Sequence, residues 1–132
     1  MLNRTSLIAG LAAGLLFVAG AAQALTIKPF TAADFAAEQA AGKQVAVQFH
    51  ADWCPTCKAQ GVALQAIKND PALKDVTLLQ ANYDTEKALK QDMKIRAQST
   101  FVVFKGRTEV ARSAGVTEAD KIKATLSAGL QS

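Results

Sequence analysis

The chain has 132 residues, half of them hydrophobic, with 15 basic side chains against 11 acidic ones and a formal net charge of +4. That is enough apolar material for one packed domain; it excludes two ordinary domains and a chain disordered by composition. The densest basic run, 90–96, is interrupted by Asp92 and apolar residues, so solvated surface lysines account for the charge and a nucleic-acid surface is not expected.

Residues 1–6 are polar and carry one charge, Arg4, and residues 7–21 form an uncharged run of Leu, Ile, Ala, Gly, Phe and Val. Ala22-Gln23-Ala24 then supplies the small-x-small pattern of a cleavage site. This order predicts a secretory leader over 1–24, cut after Ala24, and a single domain over 25–132. The alternative is an uncleaved anchor, for which the run falls short of the roughly 20 residues a spanning helix needs. Export places the mature domain in the periplasm, an oxidising compartment.

Thr26-Ile27 reads as a first strand. Thr31 and Asp34 form a T-x-x-D cap for a helix over 32–41, which Gly42 stops. The apolar run 45–49 is a central strand covered on both faces. It leads into Ala51-Asp52-Trp53-Cys54-Pro55-Thr56-Cys57-Lys58, which holds the only two cysteines. Helix spacing resumes over 57–68 through Val62, Ala63, Leu64 and Ile67, and Asn69-Asp70-Pro71 ends it, with a short extra turn at 71–74. A strand follows at 76–81, then a polar helix over 85–93 with Ala88, Leu89 and Met93 inward. Strands at 101–104 and 108–112 flank the turn Lys105-Gly106-Arg107. Thr117 and Asp120 repeat the T-x-x-D cap before a last helix, whose buried stripe is Ile122, Leu126 and Leu130. The order β-α-β-α-β-α-β-β-α predicts an α/β domain, a mixed five-stranded sheet with helices on both faces.

A disulfide between Cys54 and Cys57 would close a loop too small to remove much entropy from the unfolded chain, so it is poor as a staple and suited to opening and closing. Only a thiolate attacks a disulfide. Cys54, at the start of a helix, has free N–H groups and the positive end of the helix dipole to stabilise its anion. Cys54 is therefore the expected nucleophile. Cys57, one turn further in, is the expected resolving thiol. Pro55 fits a first-turn position, and with Thr56 it shapes the N–H array around Cys54.

A dithiol at a strand-to-helix junction in this element order resembles the thioredoxin superfamily. Within it the chain is similar to the periplasmic C-terminal domain of the thiol:disulfide interchange protein DsbD and to small secreted thioredoxins. The similarity rests on Ala51-Asp52-Trp53-Cys54 with Cys57-Lys58, on Asp70-Pro71 followed by Leu78 to Asn82, and on Val102 to Gly106. It implies the thioredoxin fold, thiol-disulfide exchange without a cofactor or a bound metal, protein disulfides as substrates, and a monomer. Three positions depart from the family pattern. Gln48 stands where a buried Asp is usual, and Gln80 where a Lys is usual. That Asp–Lys pair assists proton transfer to the buried cysteine; glutamine cannot titrate, so water or an entering partner would have to serve. Ser99, before Thr100, stands where the family has a cis-proline. A cis bond before a non-proline costs about 3–4 kcal/mol, so the Gln98–Ser99 bond is either cis against that cost or trans in a rearranged loop. Ser99 would in either case bring a hydroxyl near the sulfurs.

A lone tryptophan can simply cap a core; the resemblance implies instead that the Trp53 ring is exposed, shields the thiolate and contacts partners. Asp52 could act on Cys54 through its charge or be merely solvated. His50, the only histidine, is expected to pack beside the dithiol, with titration near Cys54 as the alternative. Lys58 could further favour a thiolate, against the default reading of a solvated helix lysine, and Tyr83 and Met93 read as packing residues.

The leading reading is an exported oxidoreductase that reduces protein disulfides or relays electrons. A reductant in an oxidising compartment must be recharged, which implies a membrane electron donor of the DsbD or CcdA kind. The alternative is copper or zinc binding through Cys54 and Cys57, although zinc usually takes four ligands and the chain offers two cysteines and one histidine. A third reading is a binding module with an idle dithiol.

Overall fold

The computed structural model describes residues 24–131, together with Gly14. The expected leader over 1–24 lies outside the described residues, apart from Gly14 and Ala24. The elements are β1 (Thr26–Pro29), α1 (Ala32–Ala40), β2 (Gln44–His50), α2 (Pro55–Ile67), a 3₁₀ turn (Pro71–Leu73), β3 (Val76–Asn82), α3 (Lys87–Asp92), β4 (Thr100–Lys105), β5 (Thr108–Ala114), α4 (Ala119–Leu126) and a second 3₁₀ turn (Ala128–Gln131). The five strands form one sheet in the order β1-β3-β2-β4-β5. β1, β3 and β2 run parallel, and β4 and β5 add antiparallel. This is the mixed sheet expected from the element order.

β2 is the central strand, buried along its length except at His50. Its alternation sorts side chains to two faces. Ala46 joins Leu78, Phe101 and Val103 in a core closed by Ala63, Leu64 and Ile67 of α2 and Ile122 and Leu126 of α4. Val47 and Phe49 join Ala81, Val102 and Met93 in the opposite core, which Phe30, Phe35, Tyr83, Leu89 and Phe104 cover. Phe35 stacks edge-on against Phe104, ring centres 5.4 Å apart.

The two T-x-x-D signals behave differently. At α1 the Thr31 hydroxyl accepts the Asp34 N–H at 3.0 Å. At its end Gly42, φ +69°, allows the Gly42 and Lys43 N–H groups to reach back to Gln39 and Glu38, closing the helix. At α4 the cap expected at Thr117 does not form. The helix starts at Ala119 with Glu118 before it, and the Glu118 carboxylate pairs with Lys121 instead. α4 also ends earlier than the Ile122-Leu126-Leu130 stripe implied. The Ser127 hydroxyl donates to the Lys123 carbonyl, the chain tightens into the 3₁₀ turn, and Leu130 comes out exposed. In α2, Val62 lies off the buried stripe and is 74% exposed. The helix expected over 85–93 begins only at Lys87, because the Asn82 carboxamide accepts the Asp84 and Thr85 N–H groups and holds that segment as a turn.

Candidate functional site: a dithiol bridged by a serine

The C-terminal end of β2 delivers the chain to α2. Cys54 is the N-cap residue of α2, with Pro55 at the first helical position and Thr56 in the same turn. The Cys54 N–H donates to the Ala51 carbonyl at 3.1 Å, and its carbonyl accepts the first helical bond, from Lys58. Its sulfur does what a capping oxygen does elsewhere, accepting the Cys57 N–H at 3.2 Å. The two cysteines are unbridged and buried, at 1% and 0% exposure, in a small cluster with Ala51 and Tyr83.

The third member is Ser99. Its peptide bond to Gln98 is trans, which decides between the two sequence-based alternatives, and its backbone takes φ +63°. Left-handed backbone is uncommon for serine. It is held there by three hydrogen bonds: Ser99 N–H to the Phe49 carbonyl at 2.8 Å, and Gly115 N–H and the Gln60 carboxamide to the Ser99 carbonyl at 3.0 and 2.9 Å. This puts Ser99 Oγ 3.2 Å from Cys54 Sγ and 3.0 Å from Cys57 Sγ. Thr100 is also buried, but its hydroxyl turns away and donates to the Ala97 carbonyl.

The two thiols part in acidity. Burial pushes the Cys54 thiol up, but hydrogen bonds with the Cys57 and Ser99 side chains and the Cys57 N–H outweigh it, bringing Cys54 from an ordinary 9.0 down to about 7. Burial, with Cys54 beside it, raises Cys57 above the usual thiol range. The acidic thiol is thus the one at the helix terminus, where unpaired N–H groups favour the anion.

Behind the dithiol runs a chain of amides that leads inward from the half-buried Gln80. The Gln80 amide donates to Gln48 at 2.9 Å, Gln48 to Gln60 at 3.0 Å, and Gln60 to the carbonyls of Ser99 and Val116, each at 2.9 Å. Gln48 and Gln80 are partners in the β2–β3 register, on the face that α2 covers. Gln48 and Gln60 are completely buried. The positions that lack the family's charged pair therefore carry a neutral hydrogen-bonded line ending on Ser99. Gln80 also lines a cleft of about 120 Å³ with His50, Asp52 and Asn82.

The other expected site residues fall around this centre. Trp53 is 58% exposed, and its indole N–H donates to Asp84 at 2.9 Å, so the ring is tied to the β3–α3 loop and does not cap the core. His50 and the exposed Asp52 face each other, Nε2 to Oδ1 at 3.1 Å. Lys58 is exposed. Tyr83 is more than packing: it covers the dithiol cluster, and Lys90 Nζ sits 3.9 Å from its ring centre. Gln60 was not singled out by motif, yet a signal existed. It shares the helical stripe of Cys57, Ala63, Leu64 and Ile67, and a polar residue on a buried stripe needs a partner. Among the described residues no group of three or more His, Cys, Asp or Glu side chains converges; the donors at the sulfurs are two thiols and one hydroxyl.

Comparison with known proteins agrees with this geometry. The family model for thioredoxin matches residues 26–128. The chain is 31% identical over 84 residues to a thioredoxin of Malassezia sympodialis, an alignment covering 64% of this chain and 79% of that protein. It is 29% identical over 86 residues to the thioredoxin of Chlamydia trachomatis serovar D, covering 65% and 82%. The crystal structure of Trxlp from Edwardsiella tarda EIB202 superposes with a TM-score of 0.73 at 36% identity, covering 76% of this chain and 98% of that one. The dithiol at the β2–α2 junction thus sits in a thiol-disulfide oxidoreductase, and the chain belongs to the thioredoxin family.

Proposed function

We propose that this protein is an exported, monomeric reductant of protein disulfides, or a relay passing electrons toward them, in which Cys54 attacks and Cys57 resolves. The division of acidity carries the assignment: Cys54 is held at about 7 by its hydrogen bonds while Cys57 is pushed up. Near neutral pH a large fraction of Cys54 is thiolate, and it displaces one sulfur of a partner disulfide to form a mixed disulfide. Cys57 then attacks Cys54 and releases the second sulfur. Pro55 and Thr56 keep the N–H array open around Cys54, and the exposed Trp53 ring offers a contact for the partner's backbone.

Export rests on the leader pattern at 1–24. Leu25, the first residue after the proposed cut, is already in the core, and its nitrogen donates to the Lys68 carbonyl at the end of α2, 2.9 Å away. An α-ammonium at that place meets the negative end of the helix dipole. Recharging in an oxidising compartment calls for a membrane donor of the DsbD or CcdA kind, in keeping with the similarity to the DsbD C-terminal domain over Asp70-Pro71 and Leu78 to Asn82. Two measurements test the reading together. N-terminal sequencing of protein recovered from the periplasm is expected to start at Leu25. Equilibration against glutathione is expected to give a potential below that of the glutathione couple, and a potential well above it would make the protein an oxidant instead.

A further inference from the structure

We infer that Ser99 is a catalytic proton carrier: its hydroxyl takes the proton from Cys57 as Cys57 attacks the mixed disulfide and hands its own proton to the departing partner sulfur. The inference rests on the disulfide-exchange reading of Cys54 and Cys57 and is independent of the direction of net electron flow.

The resolving step poses a proton problem. Cys57 is fully buried and its thiol is held protonated, yet only a thiolate attacks efficiently. At that step Cys54 is bonded in the mixed disulfide, and the other groups that hydrogen-bond the two sulfurs are neutral: the Ser99 hydroxyl, the Gln98 side chain, and the backbone of Cys57 and Ala51. None of the ionisable side chains on the surrounding elements, His50, Asp52, Asp84, Lys90 or the Tyr83 that covers the cluster, is among the groups that hydrogen-bond the sulfurs. His50 and Asp52 face each other, Asp84 holds the Trp53 indole, and Lys90 lies on the Tyr83 ring. The buried positions behind the dithiol are amides, which donate and accept but do not exchange a proton at neutral pH. One hydroxyl touches both sulfurs, at 3.0 and 3.2 Å. A hydroxyl can accept a proton on one lone pair while releasing its own.

The step balances. The Cys57 S–H bond breaks and its proton goes to Ser99 Oγ. The Cys57–Cys54 disulfide forms as the bond from Cys54 to the partner sulfur breaks. The original Ser99 proton goes to that sulfur, which leaves as a thiol. Ser99 ends as it began, and the two electrons of the dithiol end on the partner's two sulfurs. No external base is needed. The geometry is fixed because the three hydrogen bonds on the Ser99 backbone, one of them the end of the glutamine line, hold the residue in its left-handed conformation. The substitutions at Gln48 and Gln80 and the serine at 99 then form one device: the charged proton route is absent, and a neutral hydroxyl, braced by amides, stands in its place.

The test follows the two chemical steps separately. Reduced protein is mixed with glutathione disulfide, quenched in time, and the mixed disulfide and the internal Cys54–Cys57 disulfide are resolved by mass. Ser99→Gly removes the hydroxyl at a position where φ +63° suits glycine, so the fold is kept. Ser99→Asn also tolerates left-handed backbone and keeps a hydrogen-bond donor, but an amide cannot relay a proton. Both variants are expected to form the mixed disulfide within severalfold of the wild-type rate and to resolve it about 100-fold more slowly. Added imidazole buffer is expected to restore the Ser99→Gly rate while leaving wild type unchanged. Wild-type resolution by Ser99→Gly, or full recovery by Ser99→Asn, overturns the proton-carrier role. If neither the mixed disulfide nor the internal Cys54–Cys57 disulfide forms even in the wild type, the exchange reading itself fails, and the relay with it.

Discussion

The two faces of the sheet solve different problems. The face covered by α1 and α3 is a hydrocarbon and aromatic core, built from Val47, Phe49, Ala81 and Val102 and closed by Phe30, Phe35 and Phe104. The face covered by α2 and α4 is equally buried, but toward the dithiol it gives up apolar side chains for Gln48 and Gln60. Buried amides are tolerable only when paired, and here each one is. One face therefore supplies stability by burial. The other spends part of its core on a line of hydrogen bonds that fixes Ser99 against the two sulfurs.

Mutations should separate the two roles. The largest stability effect is expected on the apolar face: Phe49→Ala should cost about 3–5 kcal/mol in denaturant unfolding and leave exchange by the folded fraction unchanged. On the other face, Gln60→Leu should cost less, about 2 kcal/mol, by stranding its partners at Gln48 and Val116. It should, however, slow exchange, because the Ser99 carbonyl loses one of its anchors. A pH effect comes next. Cys54 is lowered from 9.0 to about 7 in the fold, so its contribution is fully present above pH 9 and is lost as pH falls through 7. The stability of reduced protein, referred to Cys54→Ser, is expected to rise between pH 7 and 9. The smallest effects lie at the helix starts. Thr31→Ala should cost about 1 kcal/mol. Thr117→Ala, in the same sequence pattern, should change thermal stability by less than about 0.5 kcal/mol, because its hydroxyl caps nothing.

Much of this was legible in the sequence, for identifiable reasons. The apolar run at 45–49 and the Gly42 stop specify β2 and the end of α1 through local rules alone. Cys54 at a helix start follows from the position of Pro55. The failures are equally physical. T-x-x-D at Thr117 competes with a Glu118–Lys121 pair that the pattern does not weigh. The Leu130 stripe assumes a constant helical period that Ser127 interrupts. Gln60 looks like any surface glutamine until its stripe is drawn, and the line from Gln80 to Ser99 joins residues from two strands, a helix and the loop before β4 that only the tertiary fold brings together. The left-handed backbone of Ser99 depends on contacts from Phe49, Gly115 and Gln60, all distant in sequence.

The account stands on the unequal acidity of two buried thiols, and a thiolate titration reads it directly. Ultraviolet absorbance of the reduced protein is expected to rise in two steps, the first centred near pH 7 and the second above the ordinary thiol range. The first step should vanish in Cys54→Ser and survive in Cys57→Ser, displaced upward by loss of the Cys57 thiol's hydrogen bond. A single step near pH 9, or a low step that persists without Cys54, would contradict the assignment of Cys54 as the attacking sulfur.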